Sequence, residues 1–311
     1  MKTILVATEK PFAPEAVDLI RKIADEAGYK LQLLEKYTEK SELLKAVAGV
    51  DALIVRSDVV DAEVLETAKS LKVVVRAGSG YDNIDLETAS RKGVVAMNTP
   101  GQNANAVAEL ALGMMVYFAR NQFNGKPGTE LKGKKLGICA FGNVGKQVAR
   151  IAQGFDMTVY IVDPYVEKKQ VARKELIFLS SVEELYRTCQ YVSLHMPLND
   201  ETRGSVNYSL LSLMPQGAVL VNTARKEIVD EDSLVRMFRE RPDFGYVSDI
   251  APDNRELLEK EFPGRFYFTP KKMGAQTAEA NINAGVAAAR QIVDYFKKGD
   301  TRFQVNKQKK P

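Results

Sequence analysis

The stretch Leu-Gly-Ile-Cys-Ala-Phe-Gly-Asn-Val-Gly, residues 136–145, decides how this chain folds. It starts as an apolar run typical of a buried strand, and its glycines lead into a helical pattern. Asp163 stands eighteen residues after Gly145, at the end of the next apolar strand, 158–162. Strand, glycine turn, helix and downstream acidic residue together form the fingerprint of a dinucleotide-binding βαβ unit. Ala140 replaces the first glycine of the fingerprint, and we expect its φ to be negative.

Each position of the fingerprint has a physical role. Gly142 lets the backbone amides of the turn, with Asn143 and Val144, approach a pyrophosphate at the positive end of the helix. Gly145 lets that helix pack close to the strand. The carboxylate of Asp163 can accept hydrogen bonds from the adenosine ribose, and its charge would repel a 2′-phosphate. We therefore expect NAD, and not NADP, as the cofactor.

Apolar strands alternate with helical segments along the whole chain. Strands are predicted at 4–7, 52–55, 73–75, 94–97, 135–140, 158–162, 191–194, 218–222 and 244–249. Helices are predicted at 14–26, 59–69, 104–120, 145–153, 182–188, 208–213, 232–240 and 278–297. Such alternation predicts two doubly wound α/β domains with parallel sheets. We expect a flavodoxin-like domain at 1–98, a Rossmann NAD-binding domain at 99–275, and a return of the segment 276–311 to the first domain.

Composition excludes several other classes of protein. The formal net charge is +4 at pH 7, and a tail that we expect to be solvated supplies three of those charges: Lys307, Lys309 and Lys310. We therefore expect no nucleic-acid partner. The longest apolar run, 110–119, is too short to span a bilayer, and the first residues lack a signal-peptide pattern, so we expect a cytoplasmic protein without a membrane partner. Cys139 and Cys189 have no metal-ligand spacing, so we predict buried thiols and no metal.

Four further motifs occur in a recognisable order. A glycine-rich stretch, Val-Arg-Ala-Gly-Ser-Gly-Tyr-Asp-Asn-Ile-Asp, occupies residues 75–85, and others follow at 95–101, 106–111 and 221–232. Together with the fingerprint they resemble the D-isomer-specific 2-hydroxyacid dehydrogenases, from about residue 50 to residue 290. The resemblance implies an NAD-dependent oxidoreductase whose first domain binds a small anionic 2-hydroxy acid.

The resemblance also assigns roles to individual residues. Arg225 would bind the substrate carboxylate through its guanidinium fork. A loop would complement that carboxylate with backbone amides: Gly78, Ser79 and Gly80. Asp249 would accept the nicotinamide carboxamide. The other residues implied to line the cofactor pocket are His195, Met196, Pro197, Thr223, Ala224 and Gly274.

The family's usual proton acceptor, a histidine held by a glutamate, is replaced in this chain. The single histidine, His195, lies in the segment that resembles the adenine side of the pocket. Lys272, which is followed by Met-Gly-Ala, occupies the usual histidine position, although an alignment anchored on Thr269 and Pro270 selects Lys271. Asn254 occupies the usual glutamate position.

We expect Lys272 to be the acid/base. Its ammonium form is the acid that reduction of a keto acid needs, whereas oxidation needs the neutral amine. A free lysine has a pKa near ~10.4. Partial burial, Arg225 and the oxidised nicotinamide would lower the pKa of Lys272. Oxidation should therefore improve toward alkaline pH.

Within the family, the stretches 53–57 and 128–134 most resemble the D-3-phosphoglycerate dehydrogenases of serine biosynthesis, in the short form without a C-terminal regulatory domain. Arg56 and Ser57 would then contact a phosphate, and Lys10 and Lys271 could add positive charge. Two alternatives stay open: a hydroxypyruvate, glyoxylate or D-lactate reductase, and an NAD-sensing interaction protein similar to a corepressor. The resemblance implies a homodimer, with the helix at 106–120 as its surface.

Overall fold

A computed structural model describes residues 1–166 and 175–307. Its contacts divide the chain into two compact units. The first unit contains Met1–Asn103 and the segment that starts at Thr277, and the second contains Ala104–Gln276. The predicted solvated positions Lys309 and Lys310 lie outside the described residues.

The first unit has a five-stranded sheet at its centre. Its strands are β1 (Thr3–Thr8), β2 (Lys30–Glu35), β3 (Ala52–Val55), β4 (Val73–Arg76) and β5 (Val95–Asn98). They lie in the order β2-β1-β3-β4-β5, and all neighbouring pairs are parallel. This is the order of a flavodoxin-like, doubly wound sheet, as the sequence predicted.

Five helices of the first unit pack on this sheet. They are α1 (Pro14–Glu26), α2 (Lys40–Val47), α3 (Ala62–Thr67), α4 (Leu86–Arg91) and α11 (Ala278–Lys298). The long α11 packs against α1. It approaches closely at Gly285, where a β-carbon would lie 3.0 Å from Ile20 and 3.1 Å from Phe12. The hydroxyl of Thr277 caps α11 by accepting from the Ala280 amide.

The second unit has a seven-stranded parallel sheet. Its strands are β6 (Lys135–Cys139), β7 (Thr158–Val162), β8 (Leu176–Phe178), β9 (Tyr191–Leu194), β10 (Val219–Asn222), β11 (Gly245–Ser248) and β12 (Phe266–Phe268). The order β12-β11-β10-β9-β6-β7-β8 is that of a Rossmann sheet with one strand added. The order reverses between β6 and β9, and ligands of such sheets bind beyond the carboxyl ends of the strands at this point.

Helices cover both faces of the second sheet. They are α5 (Ala104–Ala119), α6 (Asn143–Gly154), α7 (Val182–Thr188), α8 (Tyr208–Leu211), α9 (Glu231–Glu240) and α10 (Arg255–Glu261). Helix α5 contains the apolar run 110–119 and packs against α6 in the core of this unit. Within the two described ranges, no helix is both long enough and apolar enough to cross a membrane.

All nine predicted strands are present within one or two residues of their predicted bounds, but the sequence prediction missed three others. The missed strands β2, β8 and β12 are all at sheet edges. An edge strand is partly exposed and does not have the continuous apolar run of a central parallel strand. Strand β2, for example, begins and ends on exposed charged residues, Lys30 and Glu35.

Both cysteines are buried free thiols, as predicted. Burial raises the pKa of Cys139 and of Cys189 to about 12. At neutral pH neither sulfur is therefore present as a reactive thiolate.

Candidate active site

The fingerprint turn connects β6 to α6 through Ala140. The φ of Ala140 is 75°, so our expectation of a negative φ was wrong. The turn requires the left-handed conformation that glycine adopts freely, and alanine adopts it at a cost of about 1 kcal/mol. Ala140 remains tied to the sheet, because its amide donates to the carbonyl of Val162 (2.9 Å). The turn thus keeps the shape of the fingerprint without its first glycine.

The two glycines that follow have different surroundings. A β-carbon built on Gly145 would lie 2.3 Å from the carbonyl oxygen of Ala140, so only glycine permits this approach of α6 to the strand. A β-carbon on Gly142 would meet no atom within 4 Å. Gly142 is the N-cap of α6, and no described side chain caps the helix there. The open space and the uncapped amides suit an anion at this helix end.

Asp163 follows β7 and holds the same turn. One carboxylate oxygen accepts from the amide of Phe141 (2.7 Å), and the other accepts from the amide of Tyr165 (2.8 Å). A carboxylate has about four acceptor positions, so two remain for other donors. The charge of Asp163 thus stands beside the fingerprint turn with capacity for a pair of hydroxyl groups.

The candidate residues of the second unit share one edge of its sheet. Each follows the carboxyl end of a strand, and those strands are consecutive neighbours: Gly142 after β6, Asp163 after β7, His195 after β9, Arg225 after β10, Asp249 after β11 and Lys272 after β12. In parallel strands these ends lie on the same side. The fold therefore brings the predicted cofactor and catalytic positions of this unit to one edge.

A turn after β10 holds Arg225. Asn222, at the end of the strand, accepts from the amide of Ala224 (3.0 Å) and donates to the carbonyl of Arg225 (2.9 Å). The guanidinium of Arg225 is partly exposed and donates to the carbonyl of Ala224 (3.0 Å). Thr223, in the same turn, has a buried hydroxyl without a hydrogen-bond partner among the described residues. A buried hydroxyl of this kind can bind a polar group of a ligand.

Lys272 lies in the loop that follows β12. The amides of the next two residues, Met273 and Gly274, donate to the carboxylate of Asp249 (2.6 and 2.8 Å). The side chains of Lys271 and Lys272 are both exposed. The described protein atoms therefore do not supply the partial burial that we expected for Lys272.

His195 is buried at the imidazole. Its Nε2 atom is inaccessible and has no hydrogen-bond partner among the described residues. Burial lowers the pKa of His195 to about 3. The ring is therefore neutral at physiological pH, and a base with so low a pKa accepts protons poorly there. The next two residues, Met196 and Pro197, continue the segment after β9.

The predicted substrate residues lie in the first unit. Arg56 follows β3, and its Nη1 donates to the carbonyls of Lys10 (2.9 Å) and Pro11 (3.0 Å), while its Nη2 donates to Asn281. The guanidinium also lies 5.2 Å from the ring centre of Phe12. A guanidinium has five N–H groups, so two remain in addition to these three bonds. Ser57 is exposed beside it.

The loop after β4 contains the predicted carboxylate amides. The amide of Gly78 donates to the carbonyl of Arg76 (2.9 Å), so this amide is already used. Within the described ranges, the amides of Ser79 and Gly80 have no partner. The side chain of Asn98 holds the loop by donating to the carbonyl of Ser79 (2.6 Å).

Sequence reasoning missed Arg76 as a candidate. Its Nε donates to the carbonyl of Arg56 (2.9 Å), and a β-carbon on Gly78 would lie 1.5 Å from its Nη1. The guanidinium therefore covers the glycine of the candidate substrate loop. Its position at the carboxyl end of β4, where ligands of parallel sheets bind, was the available signal.

Comparison with known proteins identifies the family. The family model for the D-isomer specific 2-hydroxyacid dehydrogenase NAD-binding domain matches residues 114–264. A hydroxypyruvate reductase from Thermotoga maritima is 33% identical over 280 residues, which cover 85% of this chain and 90% of that protein. The chain belongs to the D-isomer-specific 2-hydroxyacid dehydrogenases. It is thus an NAD-dependent oxidoreductase.

Two further relatives of this dehydrogenase are 3-phosphoglycerate dehydrogenases by name. The NAD⁺-bound crystal structure of 3-phosphoglycerate dehydrogenase from Entamoeba histolytica is 47% identical, with a TM-score of 0.88 and coverage of 98% of this chain and 99% of that one. D-3-phosphoglycerate dehydrogenase from Rattus norvegicus is 36% identical over 307 residues. This match covers 93% of the dehydrogenase but only 56% of the rat protein.

The residues of the dehydrogenase fit its cofactor NAD. The space at Gly142 and the uncapped amides of α6 suit a pyrophosphate, and Asp163 has acceptor positions for two ribose hydroxyls. The unpartnered buried polar atoms of His195 and Thr223 follow neighbouring strands at the same edge of the sheet. They can hydrogen-bond to other polar groups of a dinucleotide.

Asn254, which the sequence analysis places at the family's glutamate position, has a structural role. Asn254 is the N-cap of α10, and its amide donates to a carboxylate oxygen of Glu231 (3.0 Å). Its side-chain amide donates to the backbone carbonyl of Glu231 (3.2 Å). Asn254 thus joins α10 to the start of α9.

Proposed function

We propose that this dehydrogenase oxidises 3-phosphoglycerate to 3-phosphohydroxypyruvate with NAD, as a cytoplasmic homodimeric D-3-phosphoglycerate dehydrogenase of serine synthesis. The names of the relatives from E. histolytica and R. norvegicus support this substrate. The observation that best supports a phosphorylated substrate is the way in which the guanidinium of Arg56 is held. Three hydrogen bonds and an aromatic ring fix its guanidinium at the carboxyl end of β3, and no described residue accepts from the other two N–H groups.

Arg56 suits a phosphate for two reasons. A guanidinium fork matches the oxygens of phosphate and donates charge-assisted hydrogen bonds. A guanidinium that is already held in place loses little conformational entropy when it binds. The plain 2-hydroxy acids have no second anionic group that would need such a cation. In this proposal Ser57 adds a hydroxyl beside Arg56, and Arg76 adds a second guanidinium.

The carboxylate end of the substrate is assigned to Arg225. Its fork can hold both carboxylate oxygens and so fix the direction in which the C2 hydrogen points. The amides of Ser79 and Gly80 are proposed to donate to the same carboxylate. The turn that holds Arg225 through Asn222 limits the positions that the guanidinium can take.

Lys272 is assigned the proton transfer at the C2 oxygen. When bound, NAD accepts the hydride that leaves C2. The neutral amine of Lys272 takes the proton of the C2 hydroxyl, and in the reverse direction its ammonium returns a proton to the carbonyl oxygen. Because the side chain is exposed in the protein alone, the proposal requires substrate and cofactor to provide its burial. A lysine that is buried beside cations has a lowered pKa and can act as a base.

The test is the replacement of Arg56 by Ala, with initial rates measured for 3-phosphoglycerate and for D-glycerate. Loss of a charge-assisted hydrogen bond to phosphate costs ~1.5 to 3 kcal/mol, so the KM for 3-phosphoglycerate should rise roughly tenfold or more. The kcat/KM for glycerate should change far less. Replacement of the exposed Lys22 of α1 by Ala is the control, because it also removes one surface cation of the first unit, and it should change neither value. Equal losses of kcat/KM with both substrates would contradict a contact between Arg56 and the phosphate.

A hydroxypyruvate reductase is the second candidate. It is favoured by the match to the T. maritima protein, of which this chain covers 90%. A reductase would prefer the unphosphorylated keto acid, and loss of Arg56 would then affect all substrates alike. The same experiment therefore separates the two functions.

A further inference from the structure

The carboxylate of Asp249 holds the loop that contains Lys272. Asp249 directly follows β11 and is 1% exposed. Its two oxygens accept from the amides of Met273 and Gly274, which are the two residues after the lysine. Their hydrogen bonds are 2.6 and 2.8 Å long, which is short for amide donors and typical of a charged acceptor. The backbone on the C-terminal side of Lys272 is thus fixed to the end of β11.

Thr269 holds the other side of the same loop. It follows β12 directly, is 3% exposed, and its amide donates to the carbonyl of Ser248 (3.1 Å). Its hydroxyl lies 2.8 Å from the carbonyl oxygen of Lys271, and so reaches the residue just before Lys272. The same hydroxyl lies 3.0 Å from a carboxylate oxygen of Asp249 and 2.8 Å from its carbonyl oxygen. It can donate to one of these three acceptors at a time.

Gly274 allows this arrangement. A β-carbon at Gly274 would lie 2.8 Å from a carboxylate oxygen of Asp249, so a larger residue would push the loop away from the carboxylate. Thr269 and Asp249 therefore contact the short segment 271–274 on both sides of Lys272. Two amide hydrogen bonds hold its C-terminal side, and the Thr269 hydroxyl can donate to the carbonyl on its N-terminal side.

We propose that Thr269 is a positioning residue for Lys272. Together with Asp249 it fixes the backbone from which the flexible lysine side chain extends. This inference rests on the proposed function, in which Lys272 transfers the proton. A catalytic group must return to within a fraction of an ångström of its productive position, and a misplacement of about 1 Å can cost 100-fold in rate. A lysine side chain has four rotatable bonds, so a fixed α-carbon is the part of its placement that the fold can set.

The first measurement compares Thr269→Val with Thr269→Ser. Valine has nearly the same shape but no hydroxyl, so kcat for oxidation should fall roughly tenfold or more. Serine keeps the hydroxyl and should restore most of the rate. The Kd for NADH, measured by the fluorescence of the nicotinamide, should change much less than kcat, because the amides of Met273 and Gly274 still hold the carboxylate of Asp249. If Thr269→Val has the turnover of the unchanged protein, the inference is wrong.

The second measurement adds Thr269→Val to the Lys272→Met variant. If Thr269 acts through Lys272, the valine causes no further loss once the lysine is gone. A further loss of the same size, or a large loss of NADH binding in Thr269→Val alone, would overturn the positioning role. Near-normal turnover of Lys272→Met alone would instead overturn the proposed function. Thr269→Ala replaces the valine variant if valine prevents folding, as judged by thermal unfolding.

Discussion

Lysine and histidine bring different chemistry to the same position of a 2-hydroxyacid dehydrogenase. A histidine needs a partner that selects the tautomer of its ring, whereas an amine has no tautomer to select. The Asn254 side chain at the usual glutamate position is used to join α10 to α9. The two predicted replacements are therefore consistent with each other. The loop that contains Lys272 is held by backbone hydrogen bonds to the carboxylate of Asp249.

Replacement of Lys272 by Met tests the acid/base at the residue scale. Methionine keeps an unbranched chain of similar length but cannot carry a proton. General acid–base catalysis contributes ~10² to 10⁴-fold, so kcat for 3-phosphoglycerate oxidation should fall at least about 100-fold. In the unchanged enzyme kcat should rise toward alkaline pH, and Lys272→Met should lose that rise.

Lys271→Met is the matched control for this experiment. Both lysines are exposed neighbours in the same loop, so a general effect of charge would appear in both variants. The kcat of Lys271→Met should stay within about twofold of that of the unchanged enzyme. The reverse pattern would assign the proton transfer to Lys271.

His195 gives a prediction about stability and pH. The pKa of His195 is about 3 in the folded protein, and an unfolded histidine has a pKa near ~6.5. Between these two pH values the unfolded chain binds more protons, so the free energy of unfolding rises with pH across that window. In His195→Gln this contribution is absent. The unfolding free energy of the unchanged protein minus that of His195→Gln should therefore decrease steadily as the pH falls from about 6.5 to 4.

The measurement is urea unfolding of both proteins without cofactor at several pH values. Only the pH dependence of the difference between the two unfolding free energies is informative, because the glutamine can also alter stability by an amount that does not depend on pH. Parallel curves across this window would mean that the imidazole of His195 is not buried as described.

At the scale of the elements, the strands that were predicted from the sequence are mostly buried, and the strands that were missed are only partly buried. Strands β3 and β9 are buried along their whole length and were predicted at their observed bounds. The edge strands β2, β8 and β12 expose one side and were missed. The case of β5 supports this reason. It is also an edge strand, yet it was predicted, because later residues of the chain cover it and its sequence is correspondingly apolar.

Asn306 provides part of that cover, beside the amide of Val305, which donates to the carbonyl of Ala96 (2.9 Å). The side chain of Asn306 accepts from the amide of Ala96 (3.0 Å) and donates to the carbonyl of Val94 (2.9 Å), much as a sixth strand would. Asn306 is 8% exposed. These two bonds leave the edge of β5 closed to other strands.

Asn306→Ala should therefore destabilise the first unit. Each buried backbone group left without a partner costs about 1 to 3 kcal/mol, so the two groups together predict a loss of about 2 to 6 kcal/mol in the free energy of unfolding. Hydrogen exchange at the Ala96 amide should become faster. The exposed neighbour Lys307, replaced by Ala, should change stability by less than about 0.5 kcal/mol. Unchanged exchange at Ala96 would show that Asn306 does not close this edge.

At the scale of the whole molecule, sequence and structure contribute different parts of the account. The fingerprint turn was predictable because its spacing is local: Gly142, Gly145 and Asp163 belong to one strand–helix–strand unit. The positive φ of Ala140 was not predictable from the sequence, because the fold imposes this conformation against the preference of the alanine side chain. Thr269 was missed because it acts through backbone atoms of a loop that the sequence does not position.

The central claim is that a phosphorylated 2-hydroxy acid is the substrate. The most direct test follows NADH oxidation by the purified protein with 3-phosphohydroxypyruvate, hydroxypyruvate, glyoxylate and pyruvate. The kcat/KM for 3-phosphohydroxypyruvate should be at least about tenfold above that for any other keto acid in the set, because of the added hydrogen bonds to phosphate. A kcat/KM for hydroxypyruvate that equals or exceeds this value would contradict it.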